Sequence, residues 1–342
     1  MRMKLVSIFS IVFLGILSLN AQTDRHYTMF YGNAVAYNPG AAGMFNGDGR
    51  AFSSYRNQWS SVTMNPFKTI NFSMDGKILQ EKINNGFVGL GFTYYRDKAG
   101  DGNMINSNFG LAVSYAVEVQ KDFHISTGFQ AGLGQYKINY DNFTWGNQWV
   151  GNGYDPAVYN FEPFYDDVNS LFDLSAGVYV NGAINEYIDI KGGVSVAHIL
   201  KQDVSFISAT DRLFRNVSVS FFPEYRIPYK RIAIDPGIYG FIQGPNKELT
   251  FGTDIKYFIK ESSHYTGYYD ETSASLGSYY RMGDAMIVTG AFNFSGISVG
   301  MAYDFNVSDL KVASGGLGGY EFFLRYRLGF GYKYSTGGRG RF

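Results

Sequence analysis

The residues that most often carry out chemistry in proteins are few and scattered in this chain. It has four histidines and no cysteine among 342 residues. No histidine has a second ligand at the spacing that a metal site requires, and no G-x-S-x-G nucleophile motif is present. We therefore predict no catalytic, metal-binding or cofactor-binding residues, and a protein that is not an enzyme. The histidines are His26, His124, His198 and His264.

Two glycine-rich stretches resemble ligand-binding loops but follow other patterns. Residues 97–103 offer oxygen ligands, yet they lack the spacing and the closing Glu of a calcium-binding EF-hand loop. A hairpin turn is the favoured interpretation. Residues 128–134 alternate like a strand and no helix pattern follows them, which argues against a phosphate-binding loop.

Charged side chains recur on one face of several segments whose other face is apolar. In a porin such charges would line a water-filled lumen, and in a plugged barrel they would pair with one another and with the plug. Opposite charges occur in comparable numbers, which favours pairing because an unpaired buried charge is costly. These charged residues are Arg56, Asp75, Asp254, Lys256, Asp304, Arg325 and Arg327.

The element that must position these side chains is a strand with one bulky face and one small face. Side chains on a strand alternate between its two faces. Residues 108–117 show the pattern most clearly, and it suits a strand with lipid outside and a crowded or wet interior. The bulky residues are Phe109, Leu111, Val113, Tyr115 and Val117, and the small ones are Gly110, Ala112, Ser114 and Ala116.

The same alternation recurs along most of the chain and predicts an all-β fold, a transmembrane antiparallel β-barrel of about 14 strands. An even number is typical of bacterial barrels. The predicted strands are 49–58, 68–77, 86–96, 108–119, 123–139, 172–183, 187–199, 213–227, 232–243, 249–259, 273–281, 285–293, 296–304 and 319–331.

The composition agrees with an outer-membrane barrel. Aromatic residues make up 18% and charged residues only 17%, while the mean hydropathy is −0.14. Helical membrane proteins are far more apolar, since each span needs roughly 20 apolar residues. Acidic and basic residues are equal in number, so the net charge gives no reason to expect nucleic-acid binding.

The N-terminus resembles a signal peptide, with basic Arg2 and Lys4, an apolar run over 5–19 and a small residue at Ala21. We predict cleavage after Ala21 and export to the cell outer membrane. Residues 22–48 do not alternate and would form either a plug in the lumen or a periplasmic segment. The barrel would cover residues 49–331, and a glycine-rich tail would cover 332–342.

The connections predict an orientation. Most long connections follow odd-numbered strands and would be external, while most short ones follow even-numbered strands. Residues 260–272 are the exception, so either a strand is miscounted there or that turn has a role inside the envelope. The longest connection, 140–171, is a candidate partner-binding loop or a loop packed on itself. Its aromatic candidates are Trp145, Trp149, Tyr154, Tyr159 and Phe164.

Three stretches together resemble the PorP/SprF family of outer-membrane proteins of the type IX secretion system. Residues 37–43, Y-N-P-G-A-A-G, are similar to its Y-N-P-A-x-A-G signature, and residues 55–59, Y-R-N-Q-W, match its Y-R-x-Q-W. Near the end, the Y-D of Tyr303 and Asp304 leads to G-Y-E at residues 319–321. The chain departs from the family pattern at Gly40 and in its C-terminal tail.

The resemblance implies a barrel that works with the secretion and gliding-motility machinery. Its partners would be secreted surface proteins such as adhesins, other type IX components and outer-membrane lipid. A porin or a hydrophobic-substrate channel is the alternative. In this frame Asn38 and Pro39 start a turn that packs closely on the barrel wall. We further expect Arg56 and Asp304 to anchor a plug, and Asp75, Arg325 and Arg327 to be further lumen contacts.

Overall fold

The computed structural model describes residues 27–80, 82–140, 143–162, 168–206, 210–260 and 271–329. The predicted signal peptide and the C-terminal tail lie outside these residues. In the described parts of the chain, no helix is long and apolar enough to cross a membrane.

Fourteen antiparallel strands form one closed barrel, in which each strand pairs with its sequence neighbours and β1 pairs with β14. The predicted fold class and strand number are therefore confirmed. The strands are β1 Gly49–Gln58, β2 Phe67–Ile78, β3 Gly86–Ala99, β4 Met104–Gln120, β5 Phe123–Lys137, β6 Val168–Ala183, β7 Ile188–Ala197, β8 Asn216–Arg226, β9 Ile232–Gln243, β10 Asn246–Lys260, β11 Thr272–Arg281, β12 Ala285–Phe294, β13 Ile297–Asn306 and β14 Leu317–Leu328.

Strand β4 shows how the alternation is used. Its bulky residues point outward, and Leu111 is 66% exposed on the isolated barrel. Its small residues Ala112, Ser114 and Ala116 point into the lumen and are buried. An outer face of large apolar side chains is what contact with lipid requires.

Several strands are longer than the apolar alternation predicts. Strand β3 runs on to Ala99 and β4 already begins at Met104, so only a tight turn joins them. Strand β10 begins at Asn246 and not at residue 249. Backbone pairing continues past the apolar band because ladder hydrogen bonds need no apolar side chain. In these strands the sequence pattern detects only the part that alternates in hydrophobicity, whereas the predicted ranges 187–199 and 213–227 extend beyond β7 and β8.

The two ends of the barrel differ in their connections. The long-loop end carries the connections after odd-numbered strands, including residues 138–167 and a short helix, α1 Lys311–Ser314, after β13. The short-turn end carries the connections after even-numbered strands. The connection after β10 is long, and a miscounted strand does not explain it because fourteen strands are present. Residues 261–270 themselves lie outside the described residues.

Residues 27–48, the luminal segment, lie inside the barrel and run from the long-loop end towards the short-turn end. Three 3₁₀ turns shape the segment, at Phe30–Gly32, Ala34–Ala36 and Pro39–Ala41. Most of its residues are buried, and Met29, Phe30 and Val35 are almost completely so. Its contacts come from the inner faces of strands on several sides of the barrel.

Candidate functional site

At the long-loop end, the luminal segment is held by a charged group that we call the Asp304 cluster: Arg56, Arg281, Asp304 and Glu321. Asp304 Oδ2 accepts hydrogen bonds from Arg56 Nη2 at 3.0 Å and from Arg281 Nη1 at 3.2 Å. Thr28 Oγ1 donates to Asp304 Oδ1 at 3.0 Å. All four charged side chains are buried, so each depends on its partners for compensation.

Glu321 completes the cluster by binding backbone of the luminal segment. Its Oε2 accepts the backbone N–H of Thr28 at 2.7 Å and that of Met29 at 3.2 Å. Arg56 lies directly opposite Glu321 in the pairing of β1 with β14. The cluster therefore brings Arg56, from a motif near the start of the barrel, together with Asp304 and Glu321, from the motif near its end.

Aromatic packing holds the next residues of the segment. The Phe30 ring stacks on Tyr239 with a centroid distance of 5.5 Å and meets the Tyr279 ring edge-on at 5.4 Å. Phe222 lies at 5.8 Å on another side. These partners come from β8, β9 and β11, so the Phe30 side chain packs against three strands of the barrel wall.

Neutral hydrogen bonds hold residues 37–42, and we call these the neutral contacts. Asn38 Nδ2 donates to the carbonyl oxygens of Val178 at 3.0 Å and Val194 at 3.3 Å. Asn38 Oδ1 accepts the backbone N–H of Gly40, so the side chain also caps the turn that Pro39 begins.

Three serines on the inner wall supply the remaining neutral contacts. Ser114 Oγ donates to the carbonyl oxygen of Ala42 at 2.7 Å. The hydroxyls of Ser126 and Ser195 donate to the carbonyl oxygens of Gly40 and Tyr37. Backbone groups of an irregular segment thus find partners inside the lumen, as buried polar groups require. The list of wall serines is Ser114, Ser126 and Ser195.

Inward-facing glycines let the segment approach the wall closely. A Cβ added at Gly89 would overlap the carbonyl oxygen of Ala42, and one at Gly128 would overlap the backbone of Pro39. Both glycines occupy small-face positions of their strands. The small inner face therefore makes room for the backbone of the luminal segment.

At the short-turn end, Asp75 joins the segment to the first strand. Its carboxylate accepts two hydrogen bonds from the Arg50 guanidinium, at 2.8 and 2.9 Å, and one from the backbone N–H of Gly43 at 2.9 Å. Arg50 also stacks over the ring of Phe45, 4.5 Å from its centroid. Ionic contacts thus occur at both ends of the segment.

The predicted lumen residues divide into two groups. Asn38, Arg56, Asp75 and Asp304 take part in the contacts above, and Pro39 is itself in the segment. Arg325 and Arg327 instead line a cavity beside it, with Lys256 and Asp254. Lys256 pairs with acidic side chains, whereas Asp254 accepts hydrogen bonds from the hydroxyls of Tyr279 and Thr289.

Sequence reasoning missed several residues of these contacts. Arg50 and Arg281 lie at inward positions of β1 and β11, and strand alternation would have found them. Glu321 stands in a quoted motif but was not predicted to be a contact. Nothing in the sequence marks Thr28, whose role depends on where the segment runs.

The long connection after β5 forms a small ordered structure at the long-loop end. Trp149 and Tyr154 pair through their backbones and their rings pack edge-to-face at 5.3 Å. Tyr159 and Phe161 form a second edge-to-face pair at 5.0 Å. All four rings are at least half exposed, at 53%, 52%, 68% and 78% in that order. Trp145 is half-buried, and Phe164 lies outside the described residues.

Chemistry of other kinds has little support within the described residues. No group of His, Asp and Glu among them could hold a metal ion. His198 Nδ1 lies 3.2 Å from Asp173 Oδ1, His124 packs beside Phe87, and His26 and His264 lie outside the described residues.

Several solved barrels are similar in overall fold. The Ralstonia pickettii toluene transporter TbuX is 11% identical, with a TM-score of 0.48 over 87% of this chain and 94% of that chain. A Pseudomonas aeruginosa FadL homologue is 10% identical, with the same TM-score and coverage. The P. putida toluene transporter TodX is 8% identical, with a TM-score of 0.46 over 87% and 94%.

The sequence comparisons are more specific. No curated protein sequence matches this chain. The family model described as "Type IX secretion system membrane protein PorP/SprF" matches residues 19–326, which include every strand but the last two residues of β14. The predicted resemblance is confirmed, and the chain belongs to the PorP/SprF family of type IX secretion system membrane proteins.

Proposed function

We propose that this barrel is a non-enzymatic outer-membrane accessory of type IX secretion that helps to export or attach surface proteins such as adhesins. Family membership supports a place in this system. The observation that carries the proposal is the luminal segment, which is bound to the inner wall by the Asp304 cluster and the neutral contacts. A barrel whose lumen is filled in this way is suited to binding partner proteins at its ends rather than to letting solutes pass through.

The charges in the lumen support this proposal over a diffusion porin. A selective porin presents its charges to water along the pore. Here Arg56 and Asp304 are buried against each other, and Asp75 is buried against Arg50. Paired charges of this kind hold a structure in place and contribute little attraction to a passing ion.

The surface that we propose for partner binding is the aromatic loop, residues 143–162. Exposed aromatic side chains are enriched where proteins bind one another. The loop is held in shape by its own hydrogen bonds, from Asn147 Nδ2 to the carbonyl oxygen of Asn160 and from Gln148 Nε2 to that of Val158. Trp149, Tyr154, Tyr159 and Phe161 are thereby presented at the long-loop end, which we place outside the cell. The secreted surface proteins would contact this loop.

A gene deletion followed by a census of surface proteins tests the secretion role. We expect selective loss of one or a few large surface proteins, with small-solute uptake unchanged. A general change in uptake with an intact surface proteome would overturn the proposal. Conductance of the purified barrel in a planar bilayer is the second readout, and a steady open channel would favour the porin or hydrophobic-substrate channel.

A loop variant tests the proposed partner surface separately. Replacing Trp149, Tyr159 and Phe161 together by Ser removes the exposed rings and leaves the strands untouched. We expect normal barrel levels in the outer membrane and loss of the same surface proteins. Val312→Ser is the matched control, because Val312 is 95% exposed on the short helix α1 at the same end. Equal surface display in both variants would show that the aromatic loop is not the contact.

A further inference from the structure

A cavity of about 180 Å³ lies beside the luminal segment towards the short-turn end. Part of its lining is apolar and comes from Phe222, Tyr279 and Phe323. Another part is basic and comes from Arg325 and Arg327, both on the inner face of β14. A cavity with one apolar part and one basic part suits a ligand that has an apolar body and an acidic group.

Most charges around the cavity already have partners. Arg50 is held by Asp75 through two hydrogen bonds. Lys256 lies 2.9 Å from Asp235 and donates a shorter hydrogen bond to Glu224. Glu224 and Asp235 are therefore paired with Lys256, and Asp254 accepts hydrogen bonds from Tyr279 and Thr289, so none of these three acids lies at ion-pair distance from Arg325.

Arg325 differs from these residues. Its Nη2 donates to Ser298 Oγ at 3.0 Å, while its Nε is buried without a hydrogen-bond partner among the described residues. No carboxylate of the described residues lies at ion-pair distance from Arg325. Arg327 follows on the same face and is directly opposite Arg50 in the pairing of β14 with β1. The guanidinium groups of Arg325 and Arg327 therefore belong to the same inner face, and an anion placed at Arg325 is attracted by both positive charges.

We propose that this cavity binds a small organic carboxylate, which goes beyond the secretion role. Its carboxylate pairs with the Arg325 guanidinium, whose planar donors match the two oxygens. Its apolar body lies against the rings of Phe222, Tyr279 and Phe323. Exposed Lys191 also lines the cavity, and its ammonium group adds attraction for an acid that enters from water.

Calorimetry on the purified, detergent-solubilised full chain tests the proposal with three probes. Cyclohexanecarboxylate carries both features of the ligand, cyclohexanecarboxamide carries only the apolar body, and acetate carries only the charge. We expect saturable binding of cyclohexanecarboxylate, at least about tenfold tighter than that of either other probe. Equal binding of the carboxylate and the amide, or no binding of the carboxylate, would overturn the proposal.

Variants locate the site. Arg325→Gln removes the charge with little change in shape, and we expect cyclohexanecarboxylate binding to weaken about tenfold or more. Arg325→Lys keeps a charge and should retain part of the affinity. Arg96→Gln is the matched control, since Arg96 is exposed on the outer face of β3. Resistance of the barrel to unfolding in cold sodium dodecyl sulfate shows that each variant has folded. Unchanged affinity in folded Arg325→Gln would refute the site.

Discussion

The two halves of the luminal segment are bound to the same barrel by different physical means. Residues 28 and 29 depend on the Asp304 cluster, in which two arginines and two acids are buried together. Residues 37–42 depend on the neutral contacts and on inward glycines that allow close approach. In both halves, side chains of the barrel wall form hydrogen bonds with backbone groups of the segment that would otherwise be buried without partners.

The two halves should differ in how they respond to a substitution that removes one contact. Removing one member of a buried charged group leaves its partners uncompensated in a medium that solvates them poorly. Removing one neutral contact leaves the others in place and exposes no charge. We therefore expect the charged half to fail as a unit and the neutral half to weaken step by step. Four substitutions test this comparison, and the largest expected effect comes first.

Asp304→Ala should have the largest effect. It leaves Arg56 and Arg281 buried without their shared carboxylate and removes the acceptor for the Thr28 hydroxyl. We expect the free energy of unfolding to fall by about 3–5 kcal/mol, measured by urea unfolding in lipid vesicles. Asp309→Ala is the control, because Asp309 is exposed five positions away in the following loop. Equal stability of the two variants would show that the cluster contributes little.

Gly89→Val should have the next largest effect. Its side chain would occupy the position of the Ala42 carbonyl and push residues 40–43 away from the wall. We expect a loss of about 2–3 kcal/mol and the appearance of conductance steps in planar bilayers. At Gly290 the nearest atom to an added Cβ is 3.5 Å away, so Gly290→Val should leave the barrel closed. Conductance that is equally low in both would contradict close packing at Gly89.

Asn38→Ala should have a smaller effect than either. The change removes two donated hydrogen bonds to β6 and β7 and the cap of the turn at Pro39. We expect a loss of about 2 kcal/mol, again from urea unfolding. Hydrogen exchange should become faster at Gly40 and remain slow at Thr28. Faster exchange at both residues would mean that the two halves are coupled and not independent.

Ser126→Ala should have the smallest effect of the four. It leaves the carbonyl oxygen of Gly40 without the Ser126 hydroxyl, while the other neutral contacts persist. We expect a loss of about 1 kcal/mol. Combining it with Ser114→Ala should give nearly the sum of the two single losses. A combined loss as large as that of Asp304→Ala would remove the distinction between the halves.

The barrel could be predicted from the sequence because its pattern is local. Leu111 alternates with Ala112, and Val113 with Ser114, because one face of the strand contacts lipid and the other faces the lumen. Neighbouring residues are therefore enough to reveal the two faces. The ends of the strands were less predictable. The pairing of β3 with β4 continues as far as Ala99 and Met104, through turn-like and polar residues that do not alternate in hydrophobicity. Backbone hydrogen bonding at the strand ends does not depend on side-chain hydrophobicity, so the sequence pattern does not reveal it.

The contacts of the luminal segment could be predicted only in part. Alternation placed Arg56 and Asp304 on inner faces, and charge balance favoured pairing among the lumen charges without showing that these two residues pair with each other. It could not show that Arg281 shares the same carboxylate, because partners on β11 and β13 are set by barrel closure and side-chain reach. The position of Thr28 depends on the path of an irregular segment, which no period in the sequence encodes.

The closure of β1 on β14 has a consequence for the order of assembly. Arg56 and Glu321 stand opposite each other across that seam, and Glu321 is the acceptor for the first backbone amides of the luminal segment. These amides belong to residues near the start of the chain, whereas their acceptor belongs to its last strand. The backbone amides of Thr28 and Met29 therefore find this acceptor only when the last strand is in place. Closure of the seam and anchoring of this end of the luminal segment thus depend on the same side chain, Glu321.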